Sequence, residues 1–494
     1  MDKKELRNFE DIYDKYSRFV FYRELEGDVN TPLSIICKYE QRPYLFLLES
    51  ANLHKKLSRY TYFGFHINSI YIFRNNHLEV LSNTGKLLKI DEEPFGFIKS
   101  TFNEKVYYNK SLGDFTGGFV GFIGYDMVNY TGILRKPILH TDKILPVMAF
   151  MEVEDYYIYD NHKGKLYAAI SIKKSGNIVK DFSELTRRLE ILEEAIKTKD
   201  VEEKNEITFE LGPINKTFDK EAYEEKVRAL QKEIIKGESI QVVLSNKYEI
   251  NATINPLDFY RVLRRVNPSA YMFFLKYKDF TITGSSPETH LKIRGKKAIL
   301  KPIAGTYPKN EAISKIKEKI LKDEKELAEH LMLLDLARND LSVFCRPESV
   351  KVIKSFNVED YSHVVHIVSE VHGLIKKHVS PLDVFFATFP AGTVSGAPKV
   401  RAIELIDEIE ALPRGFYAGC AGYFSFNGNL DTAILIRSAL INSKSITLRA
   451  GAGIVYDSSP EKEYFEVENK LKALITTLQQ LKDKNGAINV SINW

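Results

Sequence analysis

Only three cysteines occur in 494 residues, Cys37, Cys345 and Cys420, and they are far apart with no Cys-x-x-Cys pair among them. That spacing argues against a disulfide framework and against a cysteine zinc centre, so idle core thiols are the expected reading. Charge of one sign is equally scarce: 70 Lys and Arg face 66 Asp and Glu, a formal net charge of +4. So small and dispersed a surplus is no electrostatic footprint for nucleic acid, and any anionic ligand has to be held locally. No apolar run approaches the roughly 20 residues needed to span a bilayer. The opening Met1-Asp2-Lys3-Lys4-Glu5-Leu6-Arg7 alternates charge instead of building the apolar core of a signal peptide. The expectation is a cytoplasmic protein with neither a membrane nor a nucleic-acid partner. Against these shortages stand 44% hydrophobic and 12% aromatic residues, enough for a large core in a chain long enough for two lobes.

Up to about residue 180 the chain reads as short aromatic and β-branched runs, such as Pro43 to Leu48 and Asn68 to Phe73, punctuated by Gly117, Gly118, Gly121 and Gly124. That pattern predicts strand and turn. Leu185, Leu189, Leu192 and Ile196 then recur at helical spacing, and the polar tract Asp200 to Glu206 places the main internal boundary near 200–215. Beyond it, helices are predicted at 220–236, 256–265, 311–340, 381–388, 398–410 and 461–482. Strands are predicted at 239–244, 270–276, 280–284, 291–301, 418–426, 432–440 and 445–455. Strands in adjacent runs, not in strict alternation with helices, favour α+β over a doubly wound sheet.

Several segments carry chemistry. Glu326 and Glu329, and later Glu463 and Glu466, stand three residues apart on helices and so share a face. Two carboxylates from separate helices suit Mg²⁺, which takes oxygen ligands and completes its shell with water and acidic substrate groups. Ala391 to Lys399 leads into a helix with Ser395 as candidate N-cap and Pro398 in the first turn, a place where unpaired N–H groups attract anions. Gly451-Ala452-Gly453 follows a strand and lets backbone approach a ligand closely. Arg437 interrupts the apolar run Ala433 to Ala439 and needs a partner, either a structural carboxylate or a ligand's.

Taken together, these blocks resemble the chorismate-utilising enzymes, and within them the anthranilate synthase component I family. The resemblance runs through Ile240 to Ser245, Gly284 to Glu288, Pro302 to Thr306, His330 to Asp340, Tyr361 to His366, Gly392 to Arg401 and Gly451 to Glu466. It implies two large orthogonal antiparallel β-sheets surrounded by helices in a two-lobed α+β fold, with the site between the sheets. Residues 1–200 would form an N-terminal lobe with feedback elements, and 215–485 the chorismate-binding catalytic region. It further implies Glu329 and Glu466 as Mg²⁺ ligands, and Gly305, Thr306, Tyr417, Arg437, Gly451, Ala452, Gly453 and Lys470 as the groups holding chorismate. His366 and Thr393 fall on catalytic positions, with His366 the candidate base and Glu288 the general acid; His363 is left as structural.

Two positions choose among the family's reactions. Ala304 stands where aminodeoxychorismate synthases typically carry a nucleophilic lysine, and Gln241 where isochorismate and salicylate synthases carry a lysine that activates water. The resemblance therefore implies ammonia as the nucleophile. Leu47 to Ser50, Ser58 to Tyr60 and Asn267 to Met272 resemble the family's L-tryptophan feedback pocket, with Ser50, Ala270, Tyr271 and Met272 as its contacts. Many relatives have proline where this chain has Ala270, which predicts a looser pocket. A lone tryptophan, Trp494, suits an enzyme made when that amino acid is short. None of the cysteines sits in a glutaminase-like nucleophile turn, so ammonia is expected from solution or from a separate glutamine amidotransferase subunit (component II) in a heterotetramer.

Overall fold

The computed structural model describes residues 3–50, 59–102, 104–197, 209–309, 313–360 and 364–484. The side chain of Thr306 lies outside the described set, as do Ser58, His363 and the polar tract Asp200 to Glu206. Local signals set many of the elements. Ser380 caps the helix Pro381–Thr388 through a reciprocal capping box with Asp383. Asp219 caps Lys220–Ile235, and Asn255 followed by Pro256 opens Pro256–Val266.

Among the described residues the strands form two large sheets. The first runs Glu210–Lys216, Gln241–Thr253, Ser445–Ile454, Ser438–Asn442, Phe280–Ser286, Tyr271–Lys276, Leu45–Glu49, Tyr60–Gly64, Asp155–Asp160, Lys165–Lys173, Arg18–Leu25 and Val106–Tyr107. The second runs Ile303–Pro308, Val364–Leu374, Lys297–Leu300, Thr289–Arg294, Leu430–Ile434, Cys420–Ser425, Gly118–Ile123, Met148–Val153, Ser69–Arg74, His77–Ser82 and Leu87–Asp91. Pairing is antiparallel except for Arg18–Leu25 with Val106–Tyr107. Both sheets draw strands from either side of the 200–215 stretch: Met272 stands opposite Glu49 in one, and Gly422 opposite Gly121 in the other.

Strand alternation sorts the buried side chains into layers. Phe46, Tyr156 and Phe273 of the first sheet meet Val120, Phe122 and Tyr423 of the second in a shared inter-sheet core. Residues of opposite parity, such as Phe119, Ile123 and Phe424, pack instead against the helices outside the second sheet. The outer face of the first sheet is covered at one end by Ile178–Lys197, through Phe182, Leu185, Leu189, Leu192 and Ile196. At the other end lie Lys220–Ile235, Pro256–Val266, Lys399–Glu410 and Pro460–Lys484. Each large apolar side chain buried this way contributes about 1.5–3 kcal/mol. The architecture is thus helices, sheet, sheet, helices, an α+β fold.

Four predicted elements are corrected. The 311–340 helix is two helices, Ile313–Ile320 and Glu324–Phe344, because Asp323 caps the second by accepting from Glu326 N at 3.2 Å. The 291–301 strand is a hairpin of Thr289–Arg294 and Lys297–Leu300, turned at Gly295, whose φ of +59° glycine adopts without strain. Ser395 caps no helix: its hydroxyl donates back to Ala391 O at 2.9 Å, and Pro398 holds the N-cap position before Lys399–Glu410. The 432–440 strand is also two, Leu430–Ile434 in the second sheet and Ser438–Asn442 in the first. Between them the chain changes sheet, with Arg437 at a φ of +52°.

Candidate active site

That change of sheet has a neighbour. Phe280–Ser286 belongs to the first sheet and Thr289–Arg294 to the second, so Pro287 and Glu288 form another crossing. The two crossings are tied together, Ile434 N donating to Glu288 O at 3.1 Å and Ser285 N to Arg437 O at 3.0 Å. The backbones that carry an acid and an arginine are thereby tied together in the seam between the sheets. Glu288 is buried, and burial pushes its carboxyl up to about 8 against the opposing pull of Thr393 and Lys470. It is a largely protonated acid at neutral pH. The buried Thr393 hydroxyl favours ionised Glu288 without a well-formed hydrogen bond to any described group. Arg437 is half-buried, and burial pulls its pKa down while Glu466 and Tyr417 support its charge. Among the described residues its guanidinium has no ion-pair partner, so the structural-carboxylate alternative is not realised.

The strand Ser445–Ile454 forms one wall. Gly451 and Gly453 fall on the same face by alternation, while Ala452 points into the helix-covered core. Ala452 can therefore offer a ligand only its backbone. A Cβ on Gly453 would collide with the Gln241 amide, and one on Gly451 would stand 2.9 Å from the Tyr417 hydroxyl. Gln241 in turn donates to Glu329 Oε1 at 3.2 Å. Lys470 donates to Gly451 O at 2.8 Å and pairs with Glu466 at 2.6 Å, with Glu466 half-exposed. The two predicted metal carboxylates thus reach neighbouring points on one strand, Glu329 through Gln241 at Gly453 and Glu466 through Lys470 at Gly451.

A second wall comes from the other sheet. His366 is buried, and its Nδ1 lies 2.6 Å from Gly305 O. A neutral ring must donate through that nitrogen, which leaves Nε2 as the basic one. Gly305 has a φ of +65°, and a Cβ there would stand 2.8 Å from Glu326 Oε2, on the helix that carries Glu329. Ala304 is buried in the same strand and supplies no nucleophile. Glu329 and Glu466 fit a divalent metal by their chemistry: both are oxygen donors, one half-buried and one open to solvent.

Ser50, Ala270, Tyr271 and Met272 line a single cavity of 360 Å³ between the sheets, together with Arg59 and Tyr60. That is the lower end of the range for small-molecule sites, roughly 300–1,000 Å³. Its polar wall carries both signs: Tyr271 donates to Asp431 at 2.9 Å, Lys292 pairs with Asp431, and Arg264 holds Glu49 at 2.6 Å. A smaller cavity of 40 Å³ is lined by Glu288 and Thr393. Thr289 and Lys301 line both.

Sequence reading missed one group behind the site. Glu410, Arg414, Arg449 and Ser245 form a buried ionic cluster against Tyr417. The signal was available, since Arg449 interrupts the apolar stretch Ile446 to Ile454 much as Arg437 interrupts its own.

The chain is similar to known proteins. The profile of a family described as chorismate binding enzyme matches residues 53–476. Anthranilate synthase component 1 of Aquifex aeolicus is 38% identical over 483 residues, 95% of this chain and 96% of that protein. The Pseudomonas putida protein of the same name is 36% identical over 475 residues, 93% of this chain and 95% of its own length. The crystal structure of anthranilate synthase component I from Streptococcus pneumoniae superposes with a TM-score of 0.74 at 31% identity, covering 92% of this chain and 99% of that one. The menaquinone-specific isochorismate synthase of Escherichia coli, 19% identical with a TM-score of 0.69, shares the fold.

Proposed function

Because the chain belongs to the chorismate binding enzyme family, we propose that it is the large subunit of an anthranilate synthase, converting chorismate and ammonia to anthranilate and pyruvate in the first step of tryptophan synthesis. The observation that carries this reading is the seam: two bonded crossings, one with a cation that has no ion-pair partner among the described residues, Arg437, and one with a buried acid raised to about 8, Glu288. Chorismate is a dianion whose conversion begins with departure of a hydroxyl, and those are the two groups it needs. Ala304 and Gln241 support ammonia as the attacking species over a lysine nucleophile or a lysine-activated water.

The steps follow from the residues. Arg437 takes one carboxylate in two parallel hydrogen bonds, with Tyr417, Lys470 and the backbone at Gly451 beside it. Glu329 and Glu466 would hold Mg²⁺, which when bound supplies a hard cation for the other carboxylate. Ammonia forms a bond to C2 as the C4–O bond breaks, and Glu288 gives its proton so that water leaves. His366 Nε2 then takes the C2 ring proton as the enolpyruvyl group departs, yielding the aromatic ring and, after protonation of the enol, pyruvate.

The 360 Å³ cavity supports a feedback site for L-tryptophan. A zwitterion needs both signs of charge and an aromatic needs apolar wall, and Asp431, Lys292, Met272 and Tyr271 supply them. Thr289 and Lys301, common to both cavities, give an occupant a direct route to Glu288. Ammonia comes from a glutamine amidotransferase subunit, component II, in a cytoplasmic heterotetramer. Among the described residues no helix is long and apolar enough to cross a membrane.

Fluorescence detection of anthranilate from chorismate, Mg²⁺ and ammonium, with and without L-tryptophan, tests the reading. Product abolished by tryptophan supports both chemistry and feedback, and product indifferent to it removes the feedback site. A 4-amino product in place of anthranilate would instead establish aminodeoxychorismate synthesis.

A further inference from the structure

Behind the substrate wall lies a cluster that stability alone does not account for. Glu410 is fully buried and accepts from Arg414 Nη2 at 2.7 Å, Arg449 Nη2 at 2.7 Å, Ser245 N at 2.7 Å and Ser245 Oγ at 2.8 Å. Arg414 and Arg449 are both buried as well. A buried ion cluster typically stabilises a fold no better than apolar side chains of the same volume. Where its remaining donors go is informative. Arg414 Nη1 donates to Val394 O at 2.7 Å, in the turn that carries Thr393. Its Nη2 donates to Val243 O at 2.7 Å, in the strand that carries Gln241. Arg449 Nη1 donates to Pro413 O at 2.6 Å. Both guanidiniums also stand over the Tyr417 ring, their carbons 5.7 and 5.8 Å from its centroid. The Tyr417 hydroxyl reaches the substrate wall at Gly451.

We infer that Arg414 is a positioning residue for the reaction proposed above: it locks the Thr393 turn, the Gln241 strand and Tyr417 into one unit, and with Arg449 it makes the Tyr417 hydroxyl a stronger donor to a bound carboxylate. Cations on the face of a phenol favour its ionised form, and a more acidic phenol donates a shorter, stronger hydrogen bond to an anion. Burial, with Glu410, raises the Tyr417 phenol above its ordinary value, and Arg414, Lys470 and Arg449 hold that rise back. Because Arg414 is buried and meets the Tyr417 ring and the backbone of the Thr393 turn, its effect passes through them.

A double-mutant cycle of Arg414→Gln and Tyr417→Phe tests this, read both as anthranilate kcat/KM and as chorismate affinity by titration calorimetry. Each single change should cost about tenfold, and the double variant should lose little more than either single one, since coupled residues are non-additive. Costs that multiply would overturn the inference and leave the cluster a structural element. If Arg414→Gln does not fold, Arg449→Gln, which leaves the Glu410–Arg414 fork in place, carries the same cycle. The inference rests on the proposed reaction, and the two fail separately. Wild-type protein that binds chorismate but makes no anthranilate refutes the reaction and leaves the affinity cycle to decide. Wild-type protein with no affinity for chorismate overturns both.

Discussion

Replacing Glu288 by Gln should make the protein more stable while disabling it. Burial lifts this carboxyl from an ordinary value of 4.5 to about 8. Its folded pKa is raised above the unfolded one, so its contribution to stability is fully present below pH 4.5 and is lost as pH rises through about 8. At about 1.4 kcal/mol per pH unit, the full gap amounts to roughly 3–5 kcal/mol once the pH exceeds that window. Glutamine matches the shape and polarity of the protonated acid and never ionises. Urea unfolding of wild type and Glu288→Gln should therefore show nearly equal stability at pH 5 and an advantage for the variant growing to about 3 kcal/mol or more by pH 8.5. Turnover should fall by roughly 10²–10⁴, the usual worth of a positioned proton donor. In the wild type, kcat at fixed free ammonia should decline above about pH 8, as the acid form disappears. A stability difference that stays flat with pH would mean that Glu288 titrates like a surface carboxylate, and the acid assignment would go with it.

Other expectations follow from the geometry. Alanine at Glu329 or Glu466 should abolish Mg²⁺-dependent turnover and raise the Mg²⁺ concentration at half-maximal rate beyond reach, and full activity in either variant would refute the ligand assignment. Gly453→Ala places a methyl on the Gln241 amide and should lower kcat/KM by about tenfold, corresponding to roughly 1–3 kcal/mol of overpacking, with the melting temperature as the control. Ala270→Pro should rigidify the 360 Å³ cavity and lower the tryptophan concentration for half-inhibition about two- to fivefold, the worth of roughly 0.4–1 kcal/mol of backbone entropy. An unchanged inhibition curve would detach Ala270 from the effector.

Much of this site was legible because its chemistry leaves marks in local sequence. A charge inside an apolar run, as at Arg437, has to be explained by a partner, and closely spaced glycines at Gly451 and Gly453 record how near the Tyr417 hydroxyl and the Gln241 amide come. What escaped is what sequence neighbours do not fix. Nothing in Ala433 to Ala439 says that the strand ends and the chain passes to another sheet, because both pieces are equally apolar. Ser395 looked like a cap, but its hydroxyl bonds within its own turn. Arg414 lies four residues beyond Glu410, past the end of the Lys399–Glu410 helix, and Arg449, arriving from a distant strand, joins the pair in a buried cluster that no local pattern announces.

The placement of Glu288 at a crossing lets the proposed acid and the proposed effector cavity share a wall. A residue within a strand is held by ladder bonds on both sides and has one conformation to offer. A crossing is held by fewer, here Ile434 N to Glu288 O and Ser285 N to Arg437 O. Pro287 and Thr289 line the larger cavity, while Glu288, between them in sequence, lines the smaller. An occupant that touches Pro287 or Thr289 bears on the backbone on either side of Glu288, and the bond from Ser285 N to Arg437 O ties that crossing to the one that carries Arg437. On the proposed reading an effector in the larger cavity needs no long relay through the fold, because Pro287 and Thr289, which line it, flank the proposed acid in sequence.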